Sequence, residues 1–135
     1  MSIIRMFKNK LLGLFQEESY VVKKDLSPKE LEIRKSMFLE YLRLIKAKEK
    51  LKCLGEDVTF LYKNGYVEKS FFNKVMITIM RVTQDVVPKI GILKAKLLSL
   101  GISKKVLEKI SYNTNKIPEK LLHTLGISTD IIRKL

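Results

Sequence analysis

The stretch KLLSLGIS at residues 96–103 returns 25 positions later as LLHTLGIS at residues 121–128, and this repeat organises the C-terminal third of the chain. Apolar residues recur at matching offsets in the segments that follow, for example Leu107 and Ile132. A glycine just past the last turn of a helix ends that helix, because only glycine enters the left-handed region without steric cost. Each copy therefore predicts a helix, a tight turn at Gly101 or Gly126, and a second helix.

The residues that follow each glycine support the same interpretation. Ile102 and Ile127 are placed to fold back onto the preceding helix, as in a Schellman motif. Ser103 and Ser128 stand where an N-cap is required, since a serine oxygen accepts a hydrogen bond from the first amides of a helix. The region 93–135 is therefore predicted to form tandem helical hairpins that fold against the rest of the molecule.

The chain is strongly basic, with 27 Lys and Arg residues against 14 Asp and Glu residues and a net charge of +13. From Leu93 onward there are nine basic and three acidic residues, so nearly half of the excess lies in the repeat region. Such a balance favours nucleic acid, anionic lipid or an acidic partner. The alternative is a lysine-rich surface that only keeps the protein in solution.

The single cysteine, Cys53, excludes an internal disulfide, and its leucine neighbours predict a buried thiol. No apolar run approaches the roughly 18 residues that a spanning helix requires. The chain is expected to be cytoplasmic or to lie inside a virion, because no secretion signal is recognised either.

Residues 3–15 are predicted to form an amphipathic helix, followed by a polar linker that ends at residue 26. We prefer the interpretation that its apolar face docks on the bundle or on a neighbouring subunit, and a membrane surface is the alternative. The contact residues expected in either case are Ile3, Ile4, Phe7, Leu11 and Phe15.

The remaining residues, 27–135, are predicted to form a single helical domain. Ser27-Pro28-Lys29-Glu30 is a capping box that predicts a helix from Pro28 to about Leu54, ended by Gly55. Residues 56–67 fit either a short helix that ends at Gly65 or a hairpin with an Asn-Gly turn, and we favour the helix.

Residues 68–87 are predicted to form a helix that lies centrally in the core, because their apolar and β-branched residues are dense. Pro88 is expected to break or kink it before a further helix at residues 89–100. A loop precedes Pro118, which opens the next helix. The fold class is therefore all-α, a compact bundle of about six to seven helices.

Catalytic chemistry is not indicated. His123, the single histidine, is expected to be packed or half-buried in the second repeat, and no serine or cysteine has a partner for a catalytic triad. Carboxylates are not grouped as metal ligands would be. We therefore expect no catalytic residue, no metal and no cofactor, and we interpret the chain as a non-enzyme.

The segment from Leu100 to Ile110 resembles a helix-hairpin-helix unit, a family with a glycine, an apolar residue and a second glycine in its hairpin. The resemblance implies sequence-independent binding of a DNA backbone by hairpin amides and a helix N-terminus. Serine stands at the second glycine in both copies, and Asp130 stands where the second copy should be basic. The same residues are also similar to a helix-turn-helix, in which Glu108 and Tyr112 would face the groove with neighbouring lysines.

A structural interpretation remains beside these resemblances, namely that the hairpins only close the bundle. The leading hypothesis is a protein that binds nucleic-acid backbone, with DNA and RNA both open, and that acts in architecture, packaging or a nucleoprotein. The alternative is a helical scaffold or assembly protein that uses its N-terminus to reach a membrane or another subunit. The residues predicted to contact nucleic acid are Lys94, Lys96, Gly101, Ser103, Lys104, Lys105, Lys109, Lys116 and Lys120.

Overall fold

The computed structural model describes residues 20–22 and 25–135, and this part of the chain is mostly helical. Its five α-helices are α1 (Pro28–Lys63), α2 (Lys69–Ser99), α3 (Lys104–Tyr112), α4 (Glu119–Leu125) and α5 (Thr129–Arg133). A 3₁₀ turn, Thr114–Lys116, lies between α3 and α4. The extended pairing in the described residues is one isolated bridge, so the all-α class is confirmed. The helix predicted at residues 3–15 lies outside the described residues.

The first long helix begins as predicted but ends later. The capping box of α1 is present, since the Ser27 hydroxyl accepts from the Glu30 amide while the Glu30 carboxylate accepts from the Ser27 amide. The predicted end at Gly55 is wrong, because α1 continues for 36 residues to Lys63. Residues 56–63 extend α1 and do not form a separate helix or a hairpin arm. Gly65, with a φ of 75°, ends it.

The second long helix passes through the proline that was expected to interrupt it. The predicted break at Pro88 is wrong, because α2 runs unbroken over 31 residues. Pro88 and its neighbours Val87 and Lys89 are exposed, so the carbonyl that loses its helical partner faces water. Merging the predicted segments into α1 and α2 explains why residues 25–135 contain five α-helices, fewer than the six to seven that were expected.

The two long helices pack side by side in opposite directions. The rings of Tyr62 and Phe72 stack with centroids 4.5 Å apart. A Cβ placed on Gly55 would lie 3.9 Å from the Ile79 side chain. The residue numbers in each pair add up to 134, so residue n of α1 lies level with residue 134 − n of α2.

Sequence spacing agrees with this register. The packed face of α2 advances by alternate steps of four and three residues, which is the spacing of a coiled-coil seam. Every residue of this face is buried or half-buried. The seam continues unbroken past Pro88, and it consists of Phe72, Met76, Ile79, Thr83, Val86, Ile90, Leu93 and Leu97.

The buried core lies at one end of the helical pair. We call this end the head, and it contains α3 to α5, the first half of α1 and the last turns of α2. Its buried side chains come from α1 to α4 and from the turn residues Ile102 and Ile127, and Ile132 of α5 packs against them half-buried. The largest of them are Tyr41, Phe38, Leu42, Ile45, Leu97, Ile102, Leu107, Ile110 and Leu121.

The opposite end is a two-helix arm, which we define as residues 51–63 of α1 and 69–90 of α2. Among the side chains of the arm, Val58 and Val86 are the buried ones. Phe71 is half exposed, so the prediction that residues 68–87 lie centrally in the core is wrong. Cys53 is exposed, and the predicted burial of its thiol is also wrong. In the arm, α1 and α2 bury only the side chains at their mutual contact, so their other faces are exposed to solvent.

Candidate nucleic-acid interface

Both Gly-Ile-Ser turns have the predicted glycine conformation and helix ends. The predicted serine N-cap bond is present in the second copy, where the Ser128 hydroxyl accepts from the Ile131 amide, whereas the Ser103 side chain makes no such bond. Gly101 and Gly126 have positive φ values of 95° and 72°. In the first copy, the Gly101 amide donates to the Leu98 carbonyl and the Ile102 amide donates to the Leu97 carbonyl, and the second copy makes the equivalent bonds. These are the two hydrogen bonds of a Schellman motif, and the isoleucine of each turn is buried. Both helix ends are confirmed.

The first turn is covered by the segment that precedes α1. The Ser103 amide donates to the Tyr20 carbonyl at 2.8 Å, and the Val22 amide donates to the Gly101 carbonyl at 2.6 Å. Residues 20–22 therefore run antiparallel to the turn. The amides of residues 101, 102 and 103 all donate within the chain, so they are already occupied where the helix-hairpin-helix resemblance assigns them to a phosphate.

The helix that follows this turn separates apolar from basic residues. α3 buries Val106, Leu107 and Ile110 against the head. Its opposite side carries a set of exposed side chains, with Glu108 half-buried among them. The exposed residues on this side are Lys104, Lys105, Lys109 and Tyr112, the last of which is 88% exposed.

A lysine from α2 joins this surface. The Glu108 carboxylate lies 3.6 Å from the Lys94 ammonium and 3.9 Å from the Lys104 ammonium. One carboxylate is thus shared by two cations, and such partly exposed pairs contribute little to stability. We call the surface formed by Lys94, Lys104, Lys105 and Lys109 the basic face, and it keeps a surplus of positive charge.

Two further predicted lysines, Lys96 and Lys120, are not among the residues that contact Glu108. Lys96 is two residues from Lys94, so it points to the other side of α2 and away from Glu108. Lys120 is exposed at the start of α4, and Lys116 belongs to the 3₁₀ turn. The second copy presents Asp130 in the first turn of α5, which would repel a phosphate.

A buried tyrosine, Tyr41, positions α3 through a contact that no sequence pattern indicated. The Tyr41 hydroxyl donates to the Leu107 carbonyl at 3.0 Å. Burial, with a smaller contribution from the nearby Glu108 carboxylate, raises the pKa of Tyr41 to about 12. These residues are 66 positions apart, and no local pattern signals their contact.

His123 is exposed on α4, so the predicted packed or half-buried imidazole is wrong. The reason is the helical period, since a helix that turns Leu121, Leu122 and Leu125 to the core leaves position 123 on the opposite side. Within the described residues there is no group of three or more acidic, histidine or cysteine side chains placed to hold a metal ion. None of the described helices is both long and apolar enough to cross a lipid bilayer.

Comparison of the chain with protein-family models, with curated proteins and with solved structures gives no match.

Proposed function

We propose that the chain is a non-enzymatic protein that binds the backbone of nucleic acid without strong sequence preference. The observation that carries this proposal is the basic face, where α3 holds three exposed lysines above a buried apolar side and Lys94 lies beside them. Such a protein would serve in architecture, in packaging or as a structural subunit of a nucleoprotein.

The chemistry of the basic face suits phosphates better than bases. Lysine ammonium groups act as point charges toward phosphate oxygens, and these contacts carry no sequence information. Tyr112 is the single aromatic residue of region 93–135, whereas single-strand binders stack successive bases on several aromatic rings. We therefore expect electrostatic binding that is strong at low salt and nearly independent of sequence.

The dimensions of the basic face limit the number of contacts. Lys104 and Lys109 are five residues apart, which corresponds to about 7.5 Å along a helix. Phosphates of one strand advance by about 3.4 Å along the axis of duplex DNA. The face therefore spans about three successive phosphates, and Lys94 adds a cation at its border.

The test compares two triple variants with the same change in net charge. Lys104→Gln, Lys105→Gln and Lys109→Gln remove the cations of α3, and Lys52→Gln, Lys63→Gln and Lys69→Gln remove three exposed cations from the arm. The logarithm of affinity for duplex DNA falls with the logarithm of salt concentration by about 0.9 per phosphate contact. We expect the α3 variant to reduce this slope by about three units and the arm variant to leave it nearly unchanged.

The readout is fluorescence anisotropy over a salt series, with duplex DNA, single-stranded DNA and RNA as probes. Equal slopes for the two triple variants would place the contacts elsewhere. Binding that ignores ionic strength would remove the proposal altogether.

A role in assembly is the second candidate, and exposed apolar residues on the arm favour it. Phe60, Phe71 and Met80 are each at least half exposed there. The amphipathic segment of residues 3–15 offers a further apolar contact in this role. Deleting residues 1–15 separates the two uses, because loss of self-association or of liposome binding with intact DNA binding assigns that segment to assembly.

A further inference from the structure

One flank of the arm carries an apolar stripe beside the seam that joins α1 and α2. Phe71, Val75, Thr78 and Val82 follow steps of four, three and four residues along α2, which is again the spacing of a coiled-coil seam. Phe71 is 50% exposed and Val82 is 41% exposed. We call these four residues the outer stripe.

The outer stripe forms a groove with the neighbouring edge of α1. Leu51 and Leu54 line the groove from α1, and Leu54 is 46% exposed. The groove has a volume of about 300 Å³, and Lys74 and Thr78 are its polar lining residues. Helices of a bundle pack by inserting side chains into grooves of this kind. The flank is thus shaped to receive further helices.

The charge of the arm distinguishes it from the rest of the chain. Residues 51–63 and 69–90 contain six basic and three acidic residues, whereas residues 91–135 contain nine basic and three acidic residues. The arm therefore has half the cation surplus of the C-terminal region, and its exposed apolar side chains are typical of a protein contact.

We propose that the outer stripe binds the same flank of a second copy of this chain. The two-fold axis runs parallel to the arm, so both heads lie at the same end. α1 of each copy then lies beside α2 of the other, and the two arms form a four-helix bundle in which neighbouring helices are antiparallel.

Charge complementarity selects this arrangement. Lys50 lies level with residue 84 in the observed register, one position from Asp85. Asp57 lies level with residue 77, within a helical turn of Lys74. Because an axis parallel to the arm keeps levels unchanged, Asp57 of one copy meets Lys74 of the other, and this pair occurs twice across the interface. Lys50 meets the ion pair that Asp85 already forms with Lys89 of its own chain at 3.1 Å, so it adds little to the selection.

A dimer with its two-fold axis perpendicular to the arm lacks these opposite-charge pairs. A two-fold axis perpendicular to the arm places α2 against α2 of the other copy, with the helices antiparallel. Centred on the outer stripe, this packing brings Lys74 of one copy near Arg81 of the other. Like charges at positions that flank a helix contact repel each other, and this repulsion disfavours the perpendicular arrangement.

The size of the contact predicts a reversible dimer. The outer stripe covers about three helical turns, and the edge of α1 at Leu51 and Leu54 adds about one turn. Stable interfaces bury about 800 Å² on each partner, and smaller ones are transient. The fraction of dimer should therefore rise with protein concentration. This inference rests on the assembly role and is independent of nucleic-acid binding.

The first experiment measures the mass of the full chain by sedimentation equilibrium over a wide range of concentrations, without nucleic acid. We expect a monomer–dimer equilibrium that Phe71→Glu weakens by about tenfold or more, since a charge then enters an apolar contact. Ile77→Glu is the matched control, because Ile77 is 47% exposed on a different side of α2. It should leave the dissociation constant nearly unchanged. A wild-type chain that remains monomeric throughout overturns the proposal.

The second experiment exchanges charges across the proposed pairs. Asp57→Lys and Lys74→Asp should each weaken the dimer, and the double variant should restore it, because only the combination recreates opposite charges between copies. If the double variant loses as much dimer affinity as the two single variants together, the proposed arrangement is wrong. Far-ultraviolet circular dichroism on each variant verifies that the helices remain folded.

The two proposals fail separately. A wild-type chain that forms no dimer but binds DNA with the expected salt slope would overturn this inference and leave backbone binding in place. An intact dimer with no DNA binding would overturn backbone binding and leave this inference in place.

Discussion

Tyr41 links the core of the head to the helix that carries the basic face. Its ring is fully buried, and its hydroxyl donates to the Leu107 carbonyl. A phenol in an unfolded chain ionises near pH 10, whereas the folded-state pKa of Tyr41 is about 12. Unfolding therefore favours loss of this proton between the two values. The contribution of Tyr41 to stability is complete below about pH 10 and is lost as the pH rises toward 12.

We expect Tyr41→Phe to lower the free energy of unfolding at pH 7 by about 1 kcal/mol, because the Leu107 carbonyl loses a buried partner. The difference between wild type and variant should shrink above pH 10 and change sign before pH 12, because a shift of two pKa units is worth more than about 1 kcal/mol. Urea unfolding at a series of pH values measures it, and comparing the two proteins cancels the titration of the lysines. Tyr112→Phe is the control, since this ring is 88% exposed and its loss should not change stability at pH 7. A constant difference up to pH 12 would contradict the assigned burial.

The glycines illustrate how one residue type has opposite roles in different elements. Gly126 ends α4 with a φ of 72°, and Gly91 lies inside α2. A Cβ on either glycine would have no atom within 4 Å. Steric contacts are therefore equal, and backbone conformation alone separates the two positions.

We expect Gly126→Ala to destabilise the protein by about 1 kcal/mol, because an alanine is strained in the left-handed region. Gly91→Ala should stabilise it by about 1 kcal/mol, because alanine has the higher helix propensity. Denaturant midpoints of the two variants measure both effects. Changes of the same sign would show that Gly126 is free to leave its left-handed conformation.

Local signals predicted the helix ends better than the helix interiors. The capping box at Ser27 and the turns at Gly101 and Gly126 involve groups a few residues apart, so their geometry follows from the local sequence. Gly55 and Pro88 carry equally strong local signals against helix, and packing along the seam overrides both. The alternating spacing of four and three residues that continues past Pro88 was the sequence signal for one long helix.

At the scale of the molecule, the head and the arm should differ in local stability. The buried residues are concentrated in the head, while the arm has one half-covered seam. Regions with few buried apolar contacts open at a lower free energy than the global unfolding. We expect amides of residues 56–80 to exchange with solvent hydrogen faster than those of residues 38–45.

Hydrogen exchange followed by mass spectrometry measures this difference peptide by peptide. Raising the protein concentration should slow exchange in the arm and leave the head unchanged, because a second copy covers only the arm. Uniform protection along α1 at low concentration would contradict the division into head and arm.

The candidate site was predicted only in part. The exposed lysines of α3 follow from its amphipathic pattern, since a helix that buries Val106 and Ile110 must present the intervening lysines to water. The position of Lys94 beside Glu108 depends on how α2 and α3 meet. The hydrogen bond from the Ser103 amide to the Tyr20 carbonyl also depends on tertiary structure, because the two residues are more than 80 positions apart in the chain.

The sequence by itself determined the helical class, the start of α1, the glycine turns and the cation surplus of the C-terminal third. Each of these depends on backbone conformation, capping or charge, which act over a few residues or need no contact at all. Tertiary structure decided that two helices run through Gly55 and Pro88, which lysines share a surface, and which apolar side chains stay exposed. These outcomes depend on the register between segments far apart in the chain, and burial along that register outweighs the local preference of a single glycine or proline.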